Sequence, residues 1–265
     1  DFFLDWVITN YIKDEDFTPS TFQYGNYPEA PAFGPTESVE SCPTKEYTRD
    51  VHQYGVDYIR IRCQGKYRLN FQGQPSVGLL PADPHGGSYA FWSNKGDQSD
   101  MTLTKTFDLS DVSPSVTLTY WTWFDIEKDY DYLYLEASTD GEEWRILRTP
   151  SGTDADPSGN SYGWAYNGRS GGEGSWIKEE VDLSQFAGQE VQIRFEYITD
   201  AAVNGEGFLL DDVEIPQIGY STGFEEGETG WDGKGFVRVN NMLPQTYHLA
   251  LIQLGDEPGV EYLTR

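Results

Sequence analysis

Residues 118–144 read LTYWTWFDIEKDYDYLYLEASTDGEEW, and the spacing within them decides the fold. Val116, Leu118, Tyr120, Thr122 and Phe124 fall on one side of an extended chain and Thr117, Thr119, Trp121 and Trp123 on the other, which is the period of a strand. An acidic turn, DIEKDYD, follows at 125–131. Tyr132, Tyr134, Glu136 and Ser138 then alternate with Leu133, Leu135 and Ala137 in a second strand, and the Asp140-Gly141 turn leads into a third over 143–148.

Outward from this stretch the same period predicts strands over 56–62, 67–71, 88–92, 101–107, 176–183, 190–198 and 208–215, separated by Gly, Pro and Asp turns. Strands in succession with no helical pattern between them imply an all-β protein, a jelly-roll β-sandwich over 55–217. The flanks differ. Phe2, Phe3, Trp6, Val7, Asn10 and Tyr11 recur three and four residues apart, so a short amphipathic helix is predicted within 1–18. Residues 19–54 read as an irregular strap whose Phe22, Tyr24, Tyr27 and Phe33 dock it onto the sheet. Residues 218–265 form a small C-terminal β extension expected to pack on the sandwich. The loop 149–174 is too polar and glycine-rich to be core by its composition.

The chain has 265 residues, with 18 Lys and Arg against 44 Asp and Glu, a net charge of −26. Such a balance repels phosphate, so nucleic acid and anionic lipid are not expected partners. No apolar run reaches the ~20 residues of a membrane helix, and no signal peptide is present. Opening on Asp1 rather than Met is what a mature or excised piece of a longer protein shows. Cys42 and Cys63 flank the strand at 56–62; a disulfide between them would close a loop of ~22 residues and contribute roughly 3 kcal/mol. That reading, with an extracytoplasmic location, is favoured over two free thiols.

If successive strands run antiparallel, the turns bearing Asp97, Asp100, Glu127, Asp131, Asp200 and Glu206 all arrive at one end of the sandwich. Calcium takes six to eight oxygens from flexible loops, so this rim is the expected calcium site, against the plainer alternative of a solvated acidic surface. Asp211 shares an inward face with Leu209, Val213 and Ile215; it either ligates a cation as well or caps the amides of a neighbouring strand.

His52, His85 and His248 stand far apart and none belongs to an H-E-x-x-H pattern, so no zinc centre is expected in this chain. No G-x-S-x-G elbow, P-loop or dinucleotide fingerprint is present. Catalysis by this chain is therefore not expected, with an acidic-pair hydrolase as the outlying alternative. Trp121 and Trp123 share a face with Thr117 and Thr119 that could stack sugar rings or lie under a strap.

The run GSYAFWSNKGDQSDMTL at 87–103, FDLS at 107–110, WTWFDIE at 121–127, ASTDG at 137–141 with Trp144, and GFLLDD at 207–212 resembles the region downstream of the catalytic domain in immune inhibitor A-type secreted bacterial metallopeptidases. The tail GFVRVNNMLPQTY at 235–247 is similar to that family's C-terminal segment, so the resemblance spans about 55–265. It implies a jelly roll like that of MAM and carbohydrate-binding domains, with calcium, attached to a secreted zinc protease whose last helix residues 1–12 resemble. The expectation is a non-catalytic accessory region of a secreted protein, partnered by the protease domain of its own parent and by protein or glycan substrates. The rival reading is an independent carbohydrate-binding module.

Overall fold

The structure, a computed structural model, describes residues 2–13, 22 and 33–263. In chain order its elements are α1 (Phe2–Ile12), β1 (Glu37–Val39), β2 (Ile59–Ile61), β3 (Ser76–Val77), β4 (Tyr89–Trp92), β5 (Asp100–Asp108) and β6 (Thr117–Asp125). Then come β7 (Tyr132–Ser138), β8 (Arg145–Ile146), β9 (Ile177–Asp182), β10 (Glu190–Ile198), β11 (Gly207–Ile215) and β12 (Tyr220–Thr222). The last are β13 (Asp232–Lys234), β14 (Val237–Asn240), β15 (Leu243–Pro244), β16 (Leu249–Gln253) and β17 (Gly259–Leu263). Among the described residues no helix is long and apolar enough to cross a membrane. The chain divides into two compact units, one of residues 76–244 and one of residues 1–75 with 245–265.

Residues 76–244 are the antiparallel β-sandwich. One sheet has the order β13-β5-β10-β7-β8, and the other β14-β4-β11-β6-β9 with β12 on β11. Alternation drives it: Val191, Ile193, Phe195 and Tyr197 of β10 are fully buried, opposite Phe208, Leu210, Val213 and Ile215 of β11 in the same core. The rings of Tyr120 and Phe195 meet edge to face at 5.2 Å, and Phe195 and Phe208 lie 5.7 Å apart. Each such side chain taken from water contributes about 1.5–3 kcal/mol, so this interface supplies most of the unit's stability. Strands β6 and β7 lie in different sheets, so the acidic turn after Asp125 is a crossing between layers and not a hairpin.

Two expectations are corrected here. No strand forms over 67–71; those residues are largely exposed and bring no partner strand with them. The long loop is not all surface: Ala165, Tyr166 and Ser170 are buried, and Tyr166 belongs to the main core. Its backbone groups are satisfied by bridges Thr153–Ala165, Leu133–Tyr166 and Asp125–Arg169, which a polar composition does not announce.

In the other unit, α1 buries Ile8, Tyr11 and Ile12 against Tyr58 and against Ala250, Ile252 and Val260 of the β16–β17 hairpin. Tyr11 and Tyr58 stack at 4.8 Å, and the Tyr58 hydroxyl donates to the Val7 carbonyl at 2.7 Å. The tail read as one segment is thus divided: residues 220–244 complete the sandwich, while 245–265 join the first 75. The Cys42–Cys63 disulfide is formed, beside the parallel pair β1–β2. Tyr24 and Tyr27 of the expected strap lie outside the described residues, Phe22 packs on the α1 cluster, and Phe33 lies 6.5 Å from Tyr58.

Candidate metal centre

Strand register brings the acidic turns to one end of the sandwich. Asp100 at the start of β5 and Tyr132 at the start of β7 both face Ile198 at the end of β10, and Asp125 at the end of β6 faces Gly207 at the start of β11. The connections 93–99, 126–131 and 199–206 therefore share that end. A Cβ on Gly205 would stand 2.2 Å from the Asp125 carbonyl oxygen, so only glycine lets the 199–206 loop close onto the β6–β7 crossing.

Glu127, Asp131 and Asp200 converge there, with one carboxylate oxygen of each within 4.8 Å of the others. Asp131 is fully buried; its Oδ1 accepts the Asp200 amide at 2.8 Å and its Oδ2 the Tyr197 hydroxyl at 3.4 Å. Asp200 Oδ1 accepts the Ala202 amide at 3.1 Å. Glu127 Oε2 is buried with no hydrogen-bond partner. Burial, then the neighbouring Asp200 and Asp97 charges, push the Glu127 carboxyl above its usual range. Burial raises Asp131 to about 6 against the pull of the Asp200 amide, with Glu127 and Asp200 adding repulsion. Three crowded carboxylates and an orphaned buried oxygen are what a hard cation relieves.

The donor chemistry fits calcium. Two oxygens bound at 2.3–2.6 Å to one ion stand up to about 5 Å apart, which the cluster's spread matches. All three donors are hard carboxylate oxygens, without the nitrogen or sulfur that zinc prefers. Alongside runs a cleft of about 570 Å³ whose walls include Glu127, Arg169, Val203, Asn204 and Glu206.

The other residues singled out in the sequence lie elsewhere or are engaged. Asp97 accepts the Asn204 side-chain amide at 2.7 Å, and Glu206 pairs with Lys95 at 2.8 Å. Asp100 lies beside Glu196, where its charge adds to that of Glu136. Asp211 is fully buried away from the trio and accepts the Gly86 and Asp212 amides at 3.0 and 2.8 Å, while burial raises it to about 6. Next to it, Asp212 meets His85 Nδ1 at 2.6 Å. Trp121 stacks on the His85 ring at 3.8 Å, and Trp123 is buried with its indole donating to the Gly174 carbonyl at 2.8 Å. Two residues that hold the centre went unread: Tyr197, already counted as core, and Asn167, whose side chain donates to the Asp131 carbonyl at 3.3 Å. A lone Asn in a glycine-rich loop carries no periodicity that could single it out.

Comparison with known proteins gives a consistent result. The family profile described as "Immune inhibitor A-like, MAM domain" matches residues 73–241, nearly the bounds of the sandwich. Pre-pro-metalloprotease PrtV of Vibrio cholerae is 31% identical over 178 residues, which is 66% of this chain and 18% of that protein. Immune inhibitor A of Bacillus thuringiensis subsp. alesti is 33% identical over 181 residues, 66% of this chain and 25% of that protein. Bacillopeptidase F of Bacillus subtilis is 29% identical over 146 residues, 54% of this chain and 9% of that protein. The chain thus spans a quarter or less of the length of these relatives.

Proposed function

This chain belongs to the immune inhibitor A-like MAM domain family, and from that premise we propose that it is the non-catalytic accessory region of a secreted zinc metallopeptidase, with a calcium ion held by Glu127, Asp131 and Asp200. One observation carries the reading: the family match coincides with a sandwich whose rim gathers three carboxylates, one of them with an orphaned buried oxygen. The relatives' printed names and the small share of their length that this chain spans support a larger parent bearing the protease domain. Phe2, 80% exposed, and Trp6, 45% exposed, on the outer side of α1 suit contact with that domain. The disulfide suits an oxidising, extracellular setting.

Calcium at this rim would tie the β6–β7 crossing to the 199–206 loop and neutralise the charge that otherwise destabilises their approach. Asp131 and Glu127 must give up their protons to bind it, so affinity rises with pH until both have titrated. Calorimetry tests the cation: a melting temperature equal in calcium and in EDTA removes it. Reading the gene on either side of this segment tests the parent, where an H-E-x-x-H upstream is expected and its absence overturns the assignment. Casein should survive incubation with the isolated chain; turnover would favour a hydrolase instead.

A further inference from the structure

We propose that Glu179 is a proton-operated latch for the strap 149–170, closing it over the side of the sandwich when neutral and releasing it when ionised. The strap runs from β7 of one sheet to β6 of the other. It is bridged to β7 at Leu133–Tyr166 and to β6 at Asp125–Arg169, with the Ile126 amide donating to the Gly168 carbonyl at 2.8 Å. Tyr166, fully buried, is the plug between the sheets, its hydroxyl 2.6 Å from that of Tyr120.

Glu179 stands opposite Tyr120 in the β6–β9 register and is itself fully buried. Its Oε2 accepts the Ser151 amide of the strap at 3.3 Å, and its Oε1 is buried without a partner. Thr149 Oγ1, on the same strap, is also buried and unpartnered. The groups facing the carboxyl are Tyr166 and Ser151 from the strap and Tyr120 from β6, with Thr149 against the Tyr166 hydroxyl. No cation is among them. Arg148, which leads into the strap, is turned onto the Trp164 ring at 4.7 Å, and Lys178 and Glu180 point to the opposite face of β9 by strand alternation.

The site buries the two carboxyl oxygens, one of them unpartnered, among the Tyr120, Tyr166 and Thr149 hydroxyls with no cation beside them. An ionised carboxylate would hold an uncompensated buried charge there, whereas a neutral one holds none. Burial pushes the Glu179 carboxyl above its usual range, against the pull of Ser151 and Tyr166, and raises both phenols so far that they stay protonated. The closed strap then holds the proton more tightly than the open one. Closure is strongest on the acid side, weakens as pH rises, and levels off once the closed-form carboxyl has titrated.

Hydrogen-exchange protection factors, which divide out the intrinsic pH dependence, test this on the full chain in EDTA, where the calcium reading has no influence. Between about pH 4 and about pH 8 the strap amides should lose protection about tenfold for each unit separating the closed and open titration points, over and above any change in the β10 amides, which register the Asp131 titration of the sandwich itself. Glu179→Gln, neutral throughout, should remove that excess loss. A wild-type strap that loses no more than β10, or an undiminished excess in Glu179→Gln, overturns the latch. Carbon-13 carboxyl NMR of the wild type decides independently of whether the variant folds, since a Glu179 that titrates like a surface glutamate also overturns it.

Discussion

The sandwich, residues 76–244, and the flanking unit, residues 1–75 with 245–265, are both rich in aromatic side chains but dispose of them differently. In the sandwich Tyr120, Phe195, Phe208 and Phe224 are fully buried between sheets that pair along whole strands. In the flanking unit Phe2, Tyr54 and Tyr67 are more than half exposed, and its sheets are single pairs, β1–β2 and β16–β17. A two-stranded pair offers only a narrow face, which covers Ile8, Tyr11 and Ile12 of α1 and leaves other side chains of equal hydrophobicity wet. The bounds of the family match, 73–241, take in all but the last three residues of the sandwich and only the three residues 73–75 of the flanking unit.

The largest break in that contrast comes from truncating the core. Phe208→Ala should cost about 3–5 kcal/mol in denaturant unfolding, because the vacated volume sits among packed rings that relax only partly. Tyr54→Ala, at a residue 85% exposed, should fall within about 0.5 kcal/mol. A Tyr54 variant as damaging as Phe208→Ala would end the distinction.

Replacing Cys42 and Cys63 by Ser comes next. Their separation of 21 residues predicts a loss of about 3 kcal/mol, confined to protection of α1, β1 and β2. Equal loss of protection in β10 would show that the two units unfold as one.

Calcium at a hundredfold excess over its Kd should stabilise the sandwich by about 2.7 kcal/mol, and Asp131→Asn should abolish the effect. The sign with pH follows from Asp131, raised to about 6. In EDTA its burial makes stability fall as pH rises from about 4, its unfolded value, to about 6. In calcium the carboxylate is the binding form, so the calcium-induced shift in Tm should be larger at about pH 7 than at about pH 5. A shift that shrinks with rising pH would place the ion elsewhere.

The smallest effect should come from Lys95→Ala. Its pair with Glu206 is about half exposed on both sides, so the change should stay within about 1 kcal/mol and leave the calcium shift intact. Loss of the calcium shift would make Glu206 part of the centre.

Local pattern in the sequence was enough for the all-β class, for the strands from Tyr89 to Ile215 to within a few residues, and for the acidic character of the β6–β7 and β10–β11 connections. These depend on which side of an extended chain is apolar, and that is written in every second residue. Tertiary structure alone decided that β6 and β7 part into different sheets, and that Glu127, Asp131 and Asp200 meet while Asp100 turns toward Glu196 and Asp211 binds amides. It also buried Tyr166, within a glycine-rich strap that composition read as surface, and Glu179 beneath that strap. The physical reason is range: alternation is a property of neighbours in sequence, whereas the meeting of three carboxylates or the covering of one depends on strand partners a hundred residues away.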